Sequence, residues 1–108
     1  MVVGKVGKEL TTEQGYDAAK LCALNILATL KAEIGDLDKI KQIVKIVGFV
    51  NCVDGFQMQP KVMNGASDLF ASIFPPEVAS RGKHARSAIG TNALPLNAAV
   101  EVEAVVEI

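Results

Sequence analysis

Residues Ile40 to Cys52, IKQIVKIVGFVNC, restrict the possible folds more than any other stretch of the chain. As a strand, this run places Val44, Ile46, Gly48 and Val50 on one side. Ile43, Val47 and Phe49 fall on the other side, with Lys45 among them. A strand that is apolar on both sides belongs in the middle of a sheet covered on both faces. A helix supplies one cover. So short a chain has little left for the second, which points to further copies of the chain as the missing layer.

Two helical patterns flank that strand. Thr11 and Gln14 stand at the spacing of a capping box, in which each side chain satisfies a free backbone amide at a helix start. Tyr16, Ala19, Ala23, Ile26, Leu27, Leu30 and Ile34 then recur on one helical face, and Gly35 suits a C-terminal cap. Asp54-Gly55 marks a turn, and Pro60 fits the first turn of a second helix, where its missing amide costs nothing. Val62, Ala66, Leu69, Phe70 and Ile73 form its apolar stripe, and Pro75-Pro76 ends it. A polar loop over residues 77–85 leads to two strands, about Arg86 to Thr91 and Ala99 to Ile108. In the last strand Val100, Val102, Ala104, Val106 and Ile108 share a face, opposite Glu101, Glu103, Val105 and Glu107. Met1 to Leu10 reads as a short strand or a loose lead-in. The pattern (β)-α-β-α-β-β predicts one α+β domain over residues 1–108, with two helices on one side of a sheet.

Composition narrows the classes of function. With 11 basic and 12 acidic residues the chain is nearly neutral, so it lacks the basic surplus expected of a nucleic-acid or anionic-membrane binder. Cys22 and Cys52 are too few and too far apart for a disulfide scaffold or a metal site, and read as reduced thiols in or near the core. Neither a signal segment nor a run of membrane-spanning length is visible, so a cytoplasmic protein is expected. Phosphate loops, dinucleotide fingerprints and metal-ligand spacings are missing too, and neither cofactor nor metal is expected.

The residues with chemistry to offer lie in the last quarter. Arg86 stands beside Ala85, Ser87, Ala88 and Gly90, small neighbours that leave room for a carboxylate to meet its guanidinium fork. Spacing alone also fits a solvated or ion-paired arginine at a strand end, and favours that reading. Glu101, Glu103 and Glu107 equally fit the wet face of an antiparallel sheet. The alternative sets one of them, Glu101, in a cleft between subunits as a general base, with Arg86 as its cationic neighbour. His84, the one histidine, reads as a surface residue. The cluster Arg81-Lys83-His84-Arg86 would attract an anion, yet no aromatic residues interleave it for base stacking, which makes nucleic acid an unlikely partner. Asn25 and Asn64, polar residues among apolar neighbours in the helices, fit structural hydrogen bonds.

Together these segments resemble a known family. ALNILATLK in the first helix, then GDLDKIKQIVKIVGFVN, ARSAIG, LP and VEVEAVVEI, are similar to the YjgF, or Rid, proteins, described as reactive enamine/imine deaminases. The resemblance runs from about Gly4 to Ile108 and is closest to a YjgF-like subgroup. It implies a chorismate-mutase-like sheet backed by two helices, three copies of which form a homotrimer around a central β-barrel, with clefts between subunits. By motif, Arg86 matches the arginine that holds a substrate carboxylate, and Glu101 the acid associated with the attacking water. Asn64 matches an asparagine near the cleft. Ala88 occupies a substrate-binding position where the well-characterised deaminases tend to carry cysteine. The implied reaction is hydrolysis of a 2-imino or 2-amino-enoic acid to the 2-oxo acid and ammonia. Non-catalytic binding of a small carboxylate, or protein interaction, is the alternative, and the family's older endoribonuclease label a third. Family members usually begin with a β-hairpin ending in a Ser-Gly-Gln-type segment, and nothing before Thr11 matches it. The chain is therefore expected to be shortened at its N-terminus.

Overall fold

A computed structural model describes residues 1–108. Five main elements follow one another: α1 (Thr12–Ile34), β1 (Gln42–Asn51), α2 (Gln59–Ser72), β2 (Ala85–Thr91) and β3 (Val100–Glu107). The ends of α1 are where the sequence puts them. The Gln14 amide donates to Thr11 Oγ1 at 3.1 Å, and the Thr11 amide donates to Gln14 Oε1 at 2.8 Å. Gly35 closes the helix with φ of 83°, a conformation that favours glycine, and its N–H reaches the Lys31 carbonyl.

β1 is the middle strand. The sheet order is β2-β1-β3, with β2 parallel and β3 antiparallel to β1. The antiparallel pairing read around the glutamates of the last strand holds between β1 and β3, while β2 is parallel and lies the width of β1 away from β3. One correction concerns the faces of β1. Ile43 pairs with Val106 and Lys45 with Val105, so Val44 is an extra residue against β3. That bulge turns Ile43 inward to join Ile46, Gly48 and Val50, and turns Val44 out to 44% exposure.

Both helices cover the Ile46 side. Ile43, Ile46 and Val50 pack there among Ala19, Ala23, Val62, Met63, Ala66 and Phe70. Burying each large aliphatic side chain contributes roughly 1.5–3 kcal/mol. The helices touch through backbone: a Cβ on Gly65 would lie 2.0 Å from the Tyr16 carbonyl oxygen. Met63, which the apolar stripe did not single out, fills the space over Gly48, where a Cβ would meet its sulfur at 2.2 Å. The N-terminal residues form bridges rather than a strand. Val6 is fully buried between Leu10 and Cys52, and Val3 pairs antiparallel with Ala98. Residues 76–82 are 3₁₀ turns within the expected polar loop. The other face of the sheet has no covering element, and Val44, Ile89 and Val105 are exposed there beside half-buried Val47 and Phe49.

Candidate functional site

Arg86 sits on β2 opposite Ile46, so its side chain leaves the sheet on the helix-covered side. There it meets two residues one turn apart on α2. Arg86 Nη1 donates to Asn64 Oδ1 at 2.8 Å and to Ser67 Oγ at 3.0 Å. Both acceptors are neutral, so they orient the guanidinium without cancelling its charge. Asn64, which the residue pattern reads as a structural hydrogen-bonding partner and the resemblance implies lies near a cleft, is joined to Arg86. Ser67 was not anticipated; a serine three residues after that asparagine was the signal for it.

The recess around Arg86 measures about 340 Å³ and is also lined by Asp68, Lys83 and His84. The loop that carries the last two is fastened from below. Gln42 Nε2 donates to the carbonyls of Ser80 and Lys83 at 3.0 and 2.7 Å. Gly82 lies so close to α2 that a Cβ would be 2.3 Å from the Phe70 carbonyl oxygen. His84 is therefore not the surface residue expected. Its half-buried ring meets Phe70 edge-on at 6.2 Å, and its Nδ1 lies 3.2 Å from the Ala85 carbonyl. Burial pushes its pKa below the ordinary histidine value, opposed by the Ala85 carbonyl contact and aided by the Arg86 charge. Asp68, which also lines the recess, accepts from the Tyr16 hydroxyl at 2.7 Å, which raises the tyrosine pKa.

Ala88 shares the Arg86 face two residues along, opposite Gly48. Glu101 does not join them. It lies on β3 opposite Phe49, exposed, on the uncovered face of the sheet. Arg86 and Glu101 thus occupy opposite faces of the two outer strands, and one chain does not bring them together. Cys22 and Cys52 are both free thiols, as expected from their number and spacing. Burial, and after it the Glu101 charge, push the Cys22 thiol pKa up, which keeps it a poor nucleophile.

A family described as "YjgF/chorismate mutase-like, putative endoribonuclease" matches residues 1–108. The chain belongs to this family. Protein TCP17 of Trypanosoma cruzi is 47% identical over 107 residues, which are 99% of this chain and 65% of that protein. Among solved structures, an Agrobacterium tumefaciens protein of unknown function is 46% identical with a TM-score of 0.92, covering 99% of this chain and 66% of its own. A "putative endoribonuclease" from Shewanella oneidensis is 35% identical with a TM-score of 0.90, covering 100% of this chain and 69% of that one. The chain spans about two thirds of the length of these YjgF-family relatives. No helix in it is long and apolar enough to cross a membrane.

Proposed function

We propose that this YjgF-family chain hydrolyses reactive 2-imino or enamino acids to 2-oxo acids and ammonia. The observation that carries the reading is the Arg86 guanidinium, fixed by two neutral acceptors in an open polar recess. A guanidinium held this way and left unneutralised suits a small carboxylate, which it takes up through its remaining donors. Anchoring the carboxylate holds the adjacent imine carbon in place, and the nearby positive charge favours attack there by lone-pair donors. An enamine first shifts an N–H proton to carbon to become the imine. Water then adds to the imine carbon with one of its protons reaching the nitrogen. The remaining hydroxyl proton follows as the C–N bond breaks, so that ammonia leaves and the carbonyl forms.

The base for that water is Glu101 of a neighbouring copy. Within one chain Glu101 faces away from Arg86, so the reading requires assembly. Covering Val44, Val47, Phe49, Ile89 and Val105 by adjacent copies supplies the drive for it, in a homotrimer built around the uncovered faces. Ammonia release from 2-iminobutanoate generated in situ tests the activity. The native chain is expected to accelerate it, and Arg86→Ala to lower kcat/KM by about a thousandfold through loss of the charged hydrogen bonds. A folded, assembled protein without acceleration, but with Arg86-dependent binding of 2-oxobutanoate, marks a carboxylate-binding member of the family instead. RNA cleavage abolished by Arg86→Ala assigns the endoribonuclease activity.

A further inference from the structure

The recess around Arg86 holds one side chain that neither anchors the carboxylate nor activates the water. Asn64 and Ser67 are engaged by Arg86 Nη1, and Tyr16 holds one carboxylate oxygen of Asp68. Lys83 and Arg86 supply charge. Of the side chains lining the recess, His84 is the one of a type that gives and takes a proton near neutral pH. Its ring is oriented for that. The Ala85 carbonyl can only accept, so at 3.2 Å it keeps the imidazole proton on Nδ1 and leaves the lone pair on Nε2. Nε2 has no hydrogen-bond partner in the chain, and no unpartnered side-chain nitrogen is buried, so Nε2 opens to solvent. Phe70 stands edge-on to the ring, and Gly82, pressed against α2, holds the loop that carries it.

We propose that His84 carries the proton from oxygen to nitrogen in the second half of the hydrolysis, a role that rests on the proposed deamination. In a 2-imino acid the reacting carbon is bonded to the carboxylate carbon, and its nitrogen lies one bond further. A carboxylate on Arg86 therefore keeps both atoms inside the recess. Once water has added, that carbon bears a hydroxyl and an amino group. Nε2 takes the hydroxyl proton, and the bonding pair stays on oxygen. The same proton passes from Nε2 to the amino nitrogen. The oxygen pair then forms the C=O bond while the C–N pair leaves on ammonia. His84 ends neutral, as it began, and no further reactant is consumed. Its surroundings make the imidazolium short-lived, because burial and then the Arg86 charge both hold the ring neutral at rest. Lys83 adds to the positive side, and Asp68 of α2 is the one acid lining the recess. Lys45 of β1, opposite Ala85, lies on the other face of the sheet.

The test follows ammonia release from 2-iminobutanoate generated in situ, across a range of pH, for the native chain, His84→Gln, and His84→Ala with and without added imidazole. His84→Gln is expected to lower kcat about a hundredfold with KM nearly unchanged. In the native chain kcat/KM should fall toward acid with the midpoint that NMR gives His84, and His84→Gln should lose that limb. Imidazole in solution should restore His84→Ala in proportion to its concentration and leave Arg86→Ala unrevived. A ring that only props up the loop yields neither the lost limb nor the rescue. Native kcat in His84→Gln, or an acid limb that survives in it, overturns the step. So does a His84→Ala chain that still binds 2-oxobutanoate like the native one but is not revived by imidazole. Those outcomes leave an Arg86-dependent deaminase standing, whereas a native chain that releases ammonia no faster than the background overturns both.

Discussion

Arg86 shows how one side chain becomes a site. Its position on β2 gives it a face, and Asn64 and Ser67 then fix the guanidinium. Removing either acceptor should leave the charge in place but let it wander. Asn64→Ala and Ser67→Ala are each expected to cost about 1 kcal/mol of stability. Each should also raise KM more than it lowers kcat, as separate measurement of the two constants will show. His84 adds a pH signature. Burial favours its neutral ring, so the unfolded chain takes up a proton at a higher pH than the folded one. Its stabilising share is whole above the ordinary histidine value and is lost as pH falls through the lower folded value. Urea midpoints measured down that pH range should fall for the native chain, and fall less for His84→Gln. An NMR titration that puts the His84 midpoint at or above the ordinary value would contradict this.

At the scale of elements, the helix pair is locked by an absence of side chain. Gly65 lets the α2 backbone rest on the Tyr16 carbonyl, and since that neighbour is backbone it cannot swing aside. Gly65→Ala is therefore expected to destabilise the fold by about 2–3 kcal/mol, read as a lowered denaturation midpoint with an unchanged slope. The ends of α1 were legible in the sequence because a capping box and a terminal glycine act within four residues of themselves. β3 was legible because its alternation is unbroken, and the inward and outward positions of Val100–Glu107 fall as read, whereas Ile108 lies past the strand and is exposed. β1 was not fully so. The alternation of an ideal strand assigns Val44 inward and Ile43 outward, and one extra residue against β3 exchanges them. Nothing in IKQIVKIVGFVNC announces that bulge, because it is fixed by how β3 lines up across the sheet.

For the whole molecule, the consequence of a central, doubly apolar strand is a sheet with one face packed and one face open. Phe49 lies near the centre of the open face, flanked by Ile89 and Glu101. If copies assemble through it, Phe49→Lys should reduce the light-scattering mass to that of one chain while leaving the helical circular dichroism in place. An unchanged mass would place the interface elsewhere and separate Glu101 from Arg86 for good. That outcome would leave the Arg86 recess intact, because every contact that orients Arg86 comes from its own chain.

The sequence by itself determined the α+β class, both helices, the caps of α1 and the strand that must be central. These follow from periodicity and spacing, which record interactions between residues close along the chain. Only the tertiary structure decided that β1 separates β2 from β3, and that Arg86 and Glu101 face opposite ways in one chain. It alone drew Ser67 and His84 into the same recess. Those outcomes rest on strand order, a bulge and a loop fastened from β1, contacts between residues as far apart as Gln42 and Glu107 that no local pattern carries.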